Sequence, residues 1–190
     1  TAADNAFQRA ITPEEISEVG VAAQREFDRA VETLRKAGVT VHVVEDTPAQ
    51  EKPDAVFPNN WFSTHHDGRV VLYPMHSPTR RRERRPEGVE ELRQHYRVSE
   101  VVDYSLGEGT GEFLEGTGSL VLDYANRVAY ASLSQRTHSV LVDRFCCAFG
   151  FVPVKFQSAT AVCRAVYPQI VSLCMDLPLF TVGPVVRPVA

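Results

Sequence analysis

Apolar residues recur at three- and four-residue steps early in the chain: Ile16, Val19, Ala23, Phe27, Ala30, Val31 and Leu34. That spacing puts them on one face of a helix. Thr12-Pro13-Glu14-Glu15 supplies a capping box with proline at the first helical position, and Gly38 supplies a stop. VTVHVVE (39–45) then predicts a short strand. After a proline-bearing loop, PDAVFPNNWFSTHHDGRVVLYPM (53–75) predicts a hairpin turning at Asp67-Gly68. Two amides, Asn59 and Asn60, interrupt its apolar run where a strand is expected to end.

The same order returns. PEGVEELRQHYRV (86–98) reads as a helix, SEVVDY (99–104) as a strand, and FLEGTGSLVLDYANRVAYAS (113–132) as a hairpin turning near Ala125-Asn126. Laying Arg69 on Arg127 gives an offset of 58 residues, which puts Phe57 on Glu115 and Asn60 on Gly118. A third round begins with THSVLVDRFCCAF (137–149), closed by Gly150, and the strand FVPVKF (151–156). Helix, strand and hairpin at a period of roughly 50 to 60 residues predict a repeat architecture of the α/β class. One helix over one small sheet cannot complete a core, so such units pack side by side. Residues just before each hairpin, among them Asn59, Asn60 and Glu115, then converge. A generic α/β sandwich with alternating elements is the alternative.

Composition narrows the partners. A net charge of −4 over 190 residues gives no general pull toward nucleic acid or an anionic membrane. No stretch approaches the roughly 20 apolar residues of a membrane helix, and the start shows no secretion signal. Cys146, Cys147, Cys163 and Cys174 lack CxxC spacing, which favours reduced thiols in a cytoplasmic protein over a disulfide framework or zinc. The basic run RRRERR (80–85) reads as a solvated loop, not a nucleic-acid patch. His65 and His66 read as solvated turn residues. A weaker alternative is a metallohydrolase using His65, His66, Asp67 and His76; the expectation is no metal and no cofactor.

LGEGTGEFLEGTGS (106–119) is glycine-rich, yet it carries Glu108, Glu112 and Glu115 and no basic residue. Such a loop repels phosphate and suits a cation or a row of N–H donors. A solvated acidic turn is the alternative. In SLSQRTH (132–138), Arg136 follows a strand and precedes a helix, and its guanidinium fits a carboxylate. Glutamates for a nitrogen-rich head and an arginine for a carboxylate tail suit an amino acid such as arginine or citrulline. Arg136 as a helix-start ion pair is the other reading.

TAADNAFQ, PDAVFPNNWFSTH, VLYPM, FLEGTGSLVLD and SLSQRTH, in this order, resemble the arginine-deiminase-related amidinotransferase family of the guanidine-modifying superfamily. The citrulline-utilisation hydrolase branch is the nearest. The resemblance runs from Thr1 to about Phe156. It implies a pentein-type α/β propeller of five units, of which this chain holds about three, with residues 1–156 an incomplete propeller domain and 157–190 a divergent segment. It also implies substrate-binding roles. Glu115 matches the carboxylate that grips guanidinium or ureido nitrogens, and Arg136 matches an arginine that holds the substrate carboxylate. Asn60, with Asn59 beside it, falls where arginine deiminases carry an aspartate. An amide both donates and accepts, so the resemblance implies a citrulline-like, neutral head group.

The family's chemistry uses a cysteine thiolate and a histidine in a tyrosine-histidine-threonine-asparagine motif. The corresponding segment here is Tyr167-Pro168-Gln169-Ile170, and proline carries no proton. None of the four cysteines is assigned as nucleophile. The expectation is therefore a truncated or degenerate C–N hydrolase, inactive by itself, with a small amino acid as ligand and a homo-oligomer compatible with the pattern. A non-catalytic amino-acid-binding module is the alternative.

Overall fold

The computed structural model describes residues 13–46, 52, 54–158 and 186–188. The sequence motifs at Thr1–Gln8 and Tyr167–Ile170, with Cys163 and Cys174, lie outside the described residues. The chain divides into two units, Thr1–Asp54 and Ala55–Ala190.

In the N-terminal unit the predicted helix is present as α1 (Pro13–Lys36), stopped by Gly38 at φ 83°. Its apolar stripe is largely uncovered: Val31 is buried, but Val19, Phe27 and Leu34 are exposed. The strand expected at 39–45 is not formed. A strand needs a neighbour to take its backbone N–H and C=O groups, and the described residues of this unit offer none.

The C-terminal unit opens with a 3-10 turn (Pro58–Asn60), followed by β1 (Phe62–Thr64) and β2 (Arg69–Leu72). Next come a short α2 (Pro78–Arg81), α3 (Pro86–His95) and β3 (Glu100–Asp103). Two single-turn helices, α4 (Gly107–Thr110) and α5 (Gly116–Ser119), lead into β4 (Leu120–Asp123) and β5 (Val128–Ser132). α6 (Ser139–Phe149), β6 (Val152–Ser158) and β7 (Val186–Pro188) complete the order.

β1 pairs antiparallel with β2, and β2 pairs parallel with β3 across α3. In the second sheet β4 pairs antiparallel with β5, and β5 pairs parallel with β6 across α6. β7 is added antiparallel to β6. The protein is thus a mixed α/β fold of small sheets in which hairpin, helix and parallel strand occur twice. Among the described residues no helix is long and apolar enough to cross a membrane.

The core forms between β2, the second hairpin and α6. Val71, Tyr73, Leu120, Ala129 and Ala131 pack against Leu141, Val142, Phe145, Cys146 and Phe149. The helical residues recur at the steps of one buried helix face. Cys146 is therefore a packing residue, and burial pushes its thiol up to about 11. His65 departs from its expected solvated state. Its ring packs 4.4 Å from that of Phe149, and its Nε2 lies 2.9 Å from the Ser63 hydroxyl. Burial pulls its imidazole down to about 4. His66 stays exposed at the turn.

Candidate functional site

The two hairpins are each preceded by a short helical turn, and the turns are related by the 58-residue offset. Phe57 caps the first at φ −111° and ψ 65°, and Glu115 caps the second at φ −101° and ψ 65°. The expected strand end at Asn59-Asn60 is instead this 3-10 turn, because Pro58 sets helical φ and the Trp61 N–H closes back onto the Pro58 carbonyl. The turns pack directly on one another. Asn59 Nδ2 donates to Thr117 Oγ1. A Cβ on Gly116, which sits at φ +42°, would lie 2.4 Å from the Asn59 carbonyl oxygen; one on Gly118 would lie 2.7 Å from Asn60 Nδ2. The glycines of LEGTGS thus admit the FPNN turn.

Glu115 is 1% exposed and Arg136 9%. One carboxylate oxygen of Glu115 accepts the His76 backbone N–H at 3.0 Å, and the other lies 3.4 Å from Arg136 Nη1. A single hydroxyl ties the two backbones together. Ser119 Oγ accepts the Glu115 N–H at 2.9 Å and the Thr137 hydroxyl at 2.8 Å, and donates to the Arg136 carbonyl at 2.9 Å. Asn60 is also buried, and its amide makes no hydrogen bond among the described residues. The structure therefore brings Asn59, Asn60, Glu115 and Arg136 to the same pair of turns, with Asn59 spent between them. It also shows Arg136 engaged with Glu115.

The basic run is not a solvated loop. Arg80 and Glu83 are both buried and joined by two hydrogen bonds of 2.9 and 3.0 Å, and Arg80 also donates to the Phe57 carbonyl. Arg81 donates to the carbonyls of Met75 and His76. Arg84 forms a two-pronged pair with Glu108, which itself accepts the Met75 N–H at 2.8 Å. The segment after β2 leaves the sheet, so its backbone groups need partners, and this run supplies them. The cation awaiting Glu108 is thus an arginine of the chain itself. The glutamate three residues after Arg80 is the sequence signal for that pair.

His76, named from sequence only as a candidate metal ligand, lies beside Glu115 instead. Its N–H holds Glu115, its ring stands edge-on to Phe113 at 5.0 Å, and its Nδ1 is buried without a partner. His65, His66 and Asp67 lie at the opposite end of β2 from His76, so these four do not gather at one point. A cleft of about 200 Å³ at that hairpin end is lined by His65, Arg69, Tyr124, Arg127 and Phe149, away from Glu115.

Residues 1–182 match the family described as N,N dimethylarginine dimethylhydrolase, eukaryotic, and the chain belongs to that family. This places it in the guanidine-modifying superfamily to which its motifs pointed. No curated protein matches the chain in sequence. Solved structures share its fold. Apo ArgZ, an arginine dihydrolase from cyanobacteria, is 18% identical with a TM-score of 0.56, over 74% of this chain and 21% of that one. The substrate-bound N-terminal domain of an ArgZ mutant is 18% identical with a TM-score of 0.53, over 75% of this chain and 54% of that one. Unliganded AgrE is 19% identical with a TM-score of 0.50, over 75% and 22%. The chain thus spans about half of the ArgZ N-terminal domain and about a fifth of the apo ArgZ and AgrE chains.

Proposed function

We propose that this chain supplies part of the amino-acid site of a guanidine-modifying C–N hydrolase, with Glu115 taking a guanidino or ureido head and Arg136 the ligand carboxylate. The observation that carries the reading is the meeting of Glu115, Arg136 and Asn60 at two packed turns. A carboxylate suits N–H donors, a guanidinium suits a carboxylate, and the amide of Asn60 has donor and acceptor unspent. Asn59 contributes by holding the turns together. The family description and the arginine dihydrolase among the structural relatives support guanidino chemistry for the whole protein.

The packing of one pre-hairpin turn on its equivalent supports a pentein-type propeller, of which this chain forms about three of five units. Binding without turnover is the role assigned to the chain alone. Among the described residues Cys146 is a core residue with a raised thiol and Cys147 lies exposed on α6. A cytoplasmic setting suits the unpaired thiols of Cys146 and Cys147. Calorimetry with L-arginine, dimethylarginine and L-citrulline tests the reading. Binding that Glu115→Gln removes, with no ornithine or ammonia released, is expected. No heat with any of the three overturns it.

A further inference from the structure

The 58-residue offset lays Arg69 on Arg127 and Asp67 on Ala125. At the first hairpin every nitrogen of the guanidinium is engaged. Arg69 Nε donates to Asp67 Oδ2 at 2.7 Å, Nη2 lies 2.7 Å from the same oxygen, and Nη1 donates to the Ala148 carbonyl at 2.8 Å. At the second hairpin an alanine stands where that acid would be. Arg127 gives Nε to the Gly150 carbonyl and Nη2 to the Phe149 carbonyl. Its Nη1 has no acceptor, and its charge no carboxylate, among the described residues. The backbone differs in the same place. The first hairpin puts its left-handed residue on Gly68 at φ 85°, whereas the second puts it on Arg127 at φ 56°, the one non-glycine residue so held among the described residues. That conformation costs an L-residue about 1 kcal/mol or more, and glycine would adopt it with less strain. We infer that the cleft at these hairpin ends binds a small aromatic carboxylate, which gives Arg127 the anion that Asp67 gives Arg69.

The walls decide what carries that anion. Phe149, Phe151 and His65 line the cleft and are buried, and Tyr124 and His66 line it and are exposed. Arg69 and Arg127 stand 3.8 and 4.3 Å from the ring centroids of Phe149 and Phe151. Burial pulls His65 down to about 4, so it adds a neutral ring near pH 7. Asp67 and Arg69 cancel each other, which leaves the charge of Arg127 for a ligand to match. Its Nη1 carries two N–H donors, and a carboxylate accepts both. The cleft measures about 200 Å³. A cavity of about 150 Å³ already admits benzene, so this one takes a single ring with its carboxylate. A bare inorganic anion would leave the ring-lined space unfilled, and a neutral ring would leave Arg127 unmatched.

The test is a titration of the full chain with benzoate, benzamide and acetate, followed by NMR at the Arg127 Nε–H. Benzoate is expected to shift that resonance saturably. It should bind about tenfold or more tighter than benzamide, which has the ring without the charge, or acetate, which has the charge without the ring. Ala125→Asp restores the acid of the first hairpin at an exposed position and should weaken benzoate by about tenfold or more. Arg127→Met should abolish benzoate binding. Should Arg127→Met fail to fold, Ala125→Asp decides alone, because its side chain lies outside the core. If Arg127 only holds the end of α6, benzoate leaves its resonance unmoved, or binds Ala125→Asp as tightly as the parent. Either result overturns the inference. Acetate or benzamide binding as tightly as benzoate would overturn it too, since the ring or the charge would then play no part.

Discussion

The two pre-hairpin turns share a backbone and differ in what they do. Phe57 and Glu115 occupy the same place with nearly the same dihedrals. Yet Phe57 is 49% exposed and offers a carbonyl to Arg80, while Glu115 is sealed and holds Arg136 and the His76 N–H. At the other end of the same hairpins the copies keep one job. Arg69 and Arg127 both donate to the carbonyls that end α6. The two pre-hairpin turns thus keep one backbone and diverge where a side chain has changed without it.

The largest expected effect separates the two caps. Glu115→Gln should destabilise the fold by about 3 kcal/mol, since it removes one charge of a buried pair. Phe57→Ala, at the exposed equivalent, should stay within about 0.5 kcal/mol. Urea midpoints at constant slope measure both. Equal losses would mean that the caps are not functionally divergent.

Next in size is the glycine that lets the turns meet. Gly116→Ala should cost about 2–3 kcal/mol, from the clash with the Asn59 carbonyl and the positive φ together. Pro58, 58 residues earlier, is exposed, and Pro58→Ala should cost about 0.5–1 kcal/mol through the unfolded chain alone. If Gly116→Ala proves as mild as Pro58→Ala, the turns are not in close contact.

Much of this was legible because it is local. Asp67-Gly68, the helix stops at Gly38 and Gly150, and the 58-residue echo all follow from short-range spacing and turn chemistry. What was misread depended on distant partners. The run 39–45 has strand periodicity but no strand neighbour among the described residues of its unit. Arg84 meets Glu108 across 24 positions, and His65 meets the aromatic face of α6, so neither burial could be seen from its own neighbourhood. For the site, residue types pointed to Glu115 and Arg136, but spacing could not show that the two touch.

The turns at the far end of the hairpins should fail in different pH windows. His65 is neutral when folded and titrates at about 4, against 6.5 when free, because burial disfavours its charge. Between those values the unfolded chain holds a proton that the folded one lacks, so stability falls as pH drops from 6.5 toward 4, by about 2 kcal/mol. The equivalent position in the second hairpin is Asp123, whose carboxylate is held below its ordinary 3.8 by hydrogen bonds from Asn126. Its contribution is present above that value and is lost only below it. Urea midpoints at pH 7, 5 and 4 should therefore decline in the parent and decline less in His65→Gln. An unchanged slope in that variant would show that His65 is not the titrating group.

The smallest effect asks whether Arg69 and Arg127 are still equivalent. Arg69 donates to the Ala148 carbonyl at 2.8 Å with its guanidinium carbon 3.8 Å from the Phe149 ring centroid. Arg127 donates to the Phe149 and Gly150 carbonyls and lies 4.3 Å over Phe151. Each combines a charge-assisted hydrogen bond at a helix C-terminus with a cation–π contact, for about 1 kcal/mol in total. Arg69→Met and Arg127→Met should thus lower stability by similar amounts. Because both act on one helix end, the double variant should depart from additivity. Strict additivity would mean that the arginines stabilise separate hairpins, and the shared job inferred from the 58-residue offset would not hold.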